Sequence, residues 1–233
     1  RLAEETLVVA RAIEADPRGR AVFIAGNGPA LSVGGDLDYF RTVQPGTIGA
    51  LTSGMTEPFH EGFRILDRLD VPIVTAAHGS VAGGGLGFVY AADIAIAATN
   101  TIFCTAFSAI GMSGDGGGTW HLPRLIGPAR ARRMYLTNLR VDAALAEQWG
   151  LVAEVVGDDE LRDHALTTAR KLASGPTLGF AAQRRLFRDS PGSSLSDQLR
   201  AETDALAVVG RTRDAQHAIE AFIDKEVPIF EGR

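Results

Sequence analysis

Two glycine clusters carry the first chemical signal in this sequence. Gly83-Gly84-Gly85 falls between a strand-like run and a helix-like one. Glycines there let backbone approach a ligand, and the free N–H groups of a helix start favour an anion or a developing oxyanion. Taken alone, the same triplet also reads as a tight, closely packed turn. Gly34-Gly35 follows another apolar run and offers a second donor. Two backbone N–H groups converging on one carbonyl oxygen would form an oxyanion hole, worth on the order of a few kcal/mol per donor. Two competing motifs fail on context. Gly26-Asn-Gly28 is followed by Pro29, with neither the third glycine nor the helix start of a dinucleotide loop. Ser32 and Ser80 neighbour glycines without the G-x-S-x-G pattern of a nucleophile elbow. His, Cys and carboxylates nowhere gather at ligand spacing, so no metal is expected.

The elements that must position these loops alternate in type. Leu2, Thr6, Val9, Ala10 and Ile13 recur at helical spacing, and Asp16-Pro17 stops that helix. Ala21 to Ala25, Val71 to Ala76 and Asp93 to Ala97 read as buried strands. A helix is predicted from Thr56 to Leu69, with Phe59, Phe63 and Leu66 on one face, and another from the glycine turn through Ala92. Strand, loop and helix in succession imply an α/β architecture with largely parallel strands. From Pro128 the chain reads as mostly helical: 131–136, 143–149, 160–172 and 180–187, with a strand at 151–155. Ser174-Gly-Pro176 marks a boundary between a core, 1–174, and a helical region, 175–233.

Composition removes whole classes. The 233 residues include 27 glycines, well above the ~7% average, without a collagen period. Cys104 is the sole cysteine, which excludes an internal disulfide and fits a reducing compartment. A net charge of −5 lacks the basic footprint of a nucleic-acid binder. The nearly uncharged run from Val71 to Ala92 is broken by Pro72, His78 and the glycines, so no spanning helix is expected. Charge at Arg1, Glu4 and Glu5 precedes any apolar run, which predicts no leader and a cytoplasmic location.

LSVGGDL (31–37), AAHGSVAGGGLG (76–87), AADIAIA (91–97) and IGMSGDGGGTWHLPRLIG (110–127) follow one another in a recognisable order. With LTNLRVDAALAEQWGLVAEVV (136–156) and AFIDKEVPIFEGR (221–233), the chain resembles the crotonase (enoyl-CoA hydratase/isomerase) superfamily over almost its whole length. The match opens at the family's first long helix, so the β-hairpin region preceding it in the family has no counterpart in this sequence. The resemblance implies a ββα spiral core, a helical C-terminal region, and a homotrimer or dimer of trimers. It implies a coenzyme A thioester substrate, no permanently bound cofactor, and a thioester oxygen held by the N–H groups of Gly35 and Gly84. Gly34, Gly83 and Gly85 would let the chain approach that thioester. Phe222 and Lys225 match positions that commonly touch the adenine and its phosphate, while Asp38 stands where members often place a cation.

The departures narrow the chemistry. Hydratases of this family use two glutamates, and the matching positions here are Gly87 and Phe107. Neither carries a proton, so the two-carboxylate addition of water is not expected. Asp115, in the glycine run 114–118, matches an acid found in dienoyl-CoA isomerases and 4-chlorobenzoyl-CoA dehalogenases; outside that match it reads as a turn-forming Asp. The isomerases keep acids at the places of Phe107 and Gly87, whereas the dehalogenases have an aromatic residue and a glycine. The dehalogenases also carry a catalytic histidine preceded by an aromatic, and the matching pair is Phe59-His60. His60 shares a predicted helical face with Arg64 and Asp67, which by itself suggests exposure. Trp120, His121 and His78 read as structural.

Three functions follow. In the favoured one, Asp115 is a nucleophile toward an electrophilic acyl carbon and His60 activates water to hydrolyse the ester, with Phe59 and Phe107 lining a flat pocket. In the second, Asp115 is a general base of an isomerase or lyase working through an enolate. In the third, the chain binds acyl-CoA without turning it over.

Overall fold

The computed structural model describes residues 1–44 and 46–232. Helix α1 (Leu2–Ala15) leads into β1 (Val22–Ala25), the short α2 (Leu37–Arg41) and the long α3 (Ile48–Arg68). There follow β2 (Ile73–Ala77), β3 (Ser80–Ala82), a 3-10 turn (Gly83–Leu86) and α4 (Gly87–Tyr90). Next come β4 (Ile94–Ala98) and β5 (Ile102–Cys104), a glycine loop, α5 (Gly118–Ile126) and α6 (Pro128–Thr137). The chain continues through β6 (Val141–Asp142), α7 (Ala143–Trp149), β7 (Glu154–Val156) and α8 (Leu161–Ala173). Helices α9 (Thr177–Asp189), α10 (Leu195–Val209) and α11 (Arg213–Asp224) make up the helical region.

The strands form two sheets, and the chain steps from one to the other on each turn. The larger runs β1-β2-β4-β7, all parallel; the smaller runs β3-β5-β6, with β5 and β6 antiparallel. Strand β2 feeds β3 and β4 feeds β5, and Ser32 bridges Val81 as the first turn's contribution to the small sheet. This is the ββα spiral that the resemblance implies. Every residue of β2 is buried, as suits the middle of a sheet covered on both faces. The core between the sheets and α5 to α7 holds Val81, Leu86, Phe103, Leu122 and Met134. A second cluster, Ile65, Leu66, Ile73 and Ala10, packs α1 and α3 against β1 and β2.

Helix α3 begins about two turns before its predicted start. Pro58 lies inside it and Gly49 and Gly54 precede, which hides the periodicity, while the Thr52 hydroxyl shares its one proton between the Ile48 and Gly49 carbonyls. The C-terminal end of α3 is tied to α9 by one side chain. Arg184 pairs with Asp93 at 2.8 Å and donates to the carbonyls of Leu66 and Leu69, and Asp93 also accepts from the Ile73 N–H at 2.7 Å. Segment 230–232 is held similarly. Buried Asp214 accepts from the N–H groups of Glu231 and Gly232, while Arg20 donates to the Phe230 carbonyl. No helix among the described residues is long and apolar enough to cross a membrane.

Candidate active site

The two glycine loops foreseen as donors face each other. The Ala82 N–H donates to the Ser32 carbonyl at 3.0 Å, laying loop 32–35 along the end of β3. Gly34 closes this approach: its φ is +88°, and an added Cβ would stand 3.1 Å from the Ala82 oxygen and 3.4 Å from the Gly84 nitrogen. A Cβ at Gly85 would fall on the Ser32 carbonyl. Gly84 lies in the first turn of its helix, where an N–H has no acceptor one turn back. Gly34 and Gly84 thus sit on adjoining backbones, while the nearest neighbour of a Cβ at Gly35 is the Phe40 ring at 3.3 Å.

Asp115 stands over that turn. Its carboxylate would lie 2.6–3.2 Å from a Cβ at Gly84, so only glycine leaves room for it. The loop delivering it has left-handed Gly111, Gly114, Gly116 and Gly117 before α5 begins. The Asp115 Oδ1 atom is buried without a hydrogen-bond partner. Burial raises the pKa of this carboxyl above the usual carboxylate range, and neighbouring His60 pulls it partly back. His60 itself comes from α3, and its Nε2 accepts the Gly116 N–H at 3.1 Å. An accepting Nε2 puts the proton of the neutral ring on Nδ1. His60, Arg64 and Asp67 face the Asp115 loop and His121 across a cleft of about 520 Å³. Among the described residues no group of three or more His, Cys, Asp or Glu side chains is arranged to hold a metal.

The enoyl-CoA hydratase/isomerase family model matches residues 1–233. The chain belongs to this family. It is 36% identical over 223 residues to 1,2-epoxyphenylacetyl-CoA isomerase of Escherichia coli, covering 95% of this chain and 84% of that protein. Carnitinyl-CoA dehydratase of Citrobacter koseri is 31% identical over 230 residues, covering 94% and 84%. Among solved structures, an enoyl-CoA hydratase/isomerase-type protein of Mycobacterium abscessus superposes with a TM-score of 0.93 at 36% identity, covering 100% of this chain and 89% of that one. The enoyl-CoA hydratase of Bacillus anthracis superposes with a TM-score of 0.92 at 26% identity, covering 100% and 89%. The crotonase-type spiral is therefore the fold, and the chain is an acyl-CoA enzyme of the hydratase/isomerase type.

Seen within this family, the two missing glutamates have physical replacements. At Gly87 a Cβ would fall on the Phe63 ring, so Phe63 fills the space such a side chain would need. At the other place, the Phe107 ring lies near Gly83 and stacks on Tyr135, with centroids 6.1 Å apart and planes 7° apart.

The remaining residues sort by position. Phe59, expected on the pocket wall, is only 8% exposed and packs edge-on against Phe63 at 4.5 Å and Phe88 at 5.7 Å. The residue on the cleft wall is Phe63, one helical turn further along the same face. Phe222 is exposed on α11, and Lys225 caps that helix in a left-handed conformation. Asp38 pairs with Arg41 at 3.2 Å. His78 binds the Gly28 carbonyl at 2.9 Å, the scaffold role expected of it. His121, expected to be structural, lines the cleft and stacks on Tyr90, and burial lowers its pKa. Tyr90 and Tyr135 escaped the sequence reading because α4 and α6 bring them to the site from distant positions. Burial, with the nearby Asp115 charge, pushes Tyr135 up to about 12. It therefore stays neutral at any ordinary pH.

Proposed function

We propose that this protein is an acyl-CoA isomerase in which Asp115 carries a proton between carbons of the acyl group. One observation bears most of this reading: a buried carboxylate oxygen without a partner, held against the Gly84 turn. The Gly35 and Gly84 N–H groups take the thioester oxygen. Asp115 removes a proton from carbon next to the carbonyl; the C–H pair delocalises into an enolate, whose negative oxygen the two donors stabilise. The proton on Asp115 exchanges in part with solvent before the acid delivers one to another carbon of the conjugated system, shifting the double bond and restoring the carboxylate. Desolvation raises the basicity of that carboxylate, which suits it to this transfer. The isomerase named among the relatives supports the same class. Through Gly116, His60 fixes the loop that presents Asp115.

The nucleophilic reading, with halide or another group displaced by Asp115 and water activated by His60, keeps one support: both residues reach one cleft. Against it, the Nε2 lone pair that would take the proton of water is already used by the Gly116 N–H. The deciding experiment offers 3-enoyl-CoA and 4-chlorobenzoyl-CoA in deuterated water. Deuterium entering the acyl chain without halide release is expected. Asp115→Asn should lower that exchange by about a thousandfold or more while acyl-CoA still binds. Halide release, or exchange unchanged by Asp115→Asn, would reject the isomerase reading.

The same family supports a homotrimer or dimer of trimers. Large apolar side chains stand exposed along α10 and α11, among them Leu195, Leu206, Ile219, Phe222 and Ile223, as an assembly surface requires.

A further inference from the structure

Behind the Asp115 loop lies a second hollow. It is an open groove of about 550 Å³ between α5 and α6, lined by Thr119, Pro123, Pro128, Ala131, Tyr135 and Leu136. Thr119 also lines the cleft that holds Asp115 and His60, so the two spaces adjoin on either side of that residue. What stands between them is the Tyr135 ring. One edge lies 2.9 Å from a Cβ placed at Gly114, its hydroxyl falls where a Cβ of Gly118 would be, and one face stacks on Phe107. The ring is therefore wedged against Gly114, which precedes Asp115, against Gly118 at the start of α5, and against the aromatic beside the Gly83 turn. An acyl group running from the thioester past Asp115 meets this ring first and the apolar groove only beyond it.

We infer that Tyr135 determines acyl length: it closes the passage from the cleft into the α5–α6 groove, confining the acyl group to short or compact forms. The occupant assigned to the groove, once the ring is removed, is the distal part of a longer acyl chain. Apart from Arg132, the proline, alanine and leucine walls suit an alkyl tail, and the groove adjoins the cleft at Thr119. The inference rests on the reading of the cleft as an acyl-CoA site, but not on the reaction performed there.

The test is equilibrium binding of saturated butyryl-, octanoyl- and dodecanoyl-CoA, which needs no turnover. In the unmodified chain, affinity should gain little beyond the short acyl groups. Tyr135→Ala should favour dodecanoyl- over butyryl-CoA at least tenfold more than the unmodified chain does. Tyr135→Phe retains the ring and should keep the original preference. If the alanine variant does not fold, Tyr135→Leu opens part of the same passage and should shift the preference in the same direction. An unchanged chain-length preference in whichever of the two folds would overturn the role of Tyr135 alone. Failure of the unmodified chain to bind any of the three would overturn the acyl-CoA reading of the cleft, and this inference with it.

Discussion

Asp115 holds its carboxylate in a place that disfavours charge, and this sets two pH dependences of known sign. Burial raises its folded pKa, so the folded state favours the protonated form. Its stabilising contribution is present below the unfolded pKa and is lost as pH rises through the folded one. Asp115→Asn mimics the protonated group and should raise Tm by a few degrees at pH 7.5. That advantage should close as pH falls below the raised pKa, which calorimetry across pH would show. Catalysis runs the other way: the base must be ionised, so the acid limb of kcat/KM should lie above the ordinary carboxylate range. At Gly87 the expectation is steric. Gly87→Glu alone should lose about 1–3 kcal/mol of stability through the clash with Phe63, and Phe63→Ala in the same chain should recover part of it. A double-mutant cycle in denaturant measures the coupling. At this scale the sequence was partly legible. Gly84, Asp115 and His60 each lie in a short segment of recognisable spacing, and the fold brings these three to neighbouring positions. Tyr90, Tyr135 and His121 were not, because only the packing of α4, α5 and α6 brings them together.

Among the elements, α3 has the widest reach, since it carries His60 and Phe63 to the site and ends under α9. Arg184 closes that end by binding Asp93, the Leu69 carbonyl just past the helix and the Leu66 carbonyl, which also accepts the Leu69 N–H. Arg184→Met keeps the packing of the stem and removes the charge. It should destabilise by about 2–3 kcal/mol, less than the ~3–5 kcal/mol of a fully buried pair because Asp93 is 34% exposed. Thermal denaturation checks this, and kcat well below Tm should change little. The buried strands β1, β2 and β4 were readable as apolar runs. Strands β3, β5 and β6 span only two or three residues each and lie beside turns, too short for periodicity to register. Helix α5, starting from glycine and containing Pro123, reads locally as loop and is held helical by Leu122 and Ile126 in the core.

For the whole molecule, the apolar side chains exposed on α10 and α11 are the surface proposed for assembly. Leu199→Asp with Leu206→Asp should shift the solution mass toward that of a single chain, as light scattering would record, leaving the far-UV spectrum nearly unchanged. A mass unaffected by both changes would place the assembly surface elsewhere. The meeting of Phe63 and Gly87 has a consequence for how this chain relates to the two-glutamate pattern that the family resemblance implies. A carboxylate cannot enter at 87 before the ring at 63 shrinks. Shrinking that ring first leaves a hole beside Phe59 and Phe88. Each single substitution is thus a step downhill in fitness whichever comes first. The two chemistries are separated by a valley that neutral drift crosses only with a compensating change already in place.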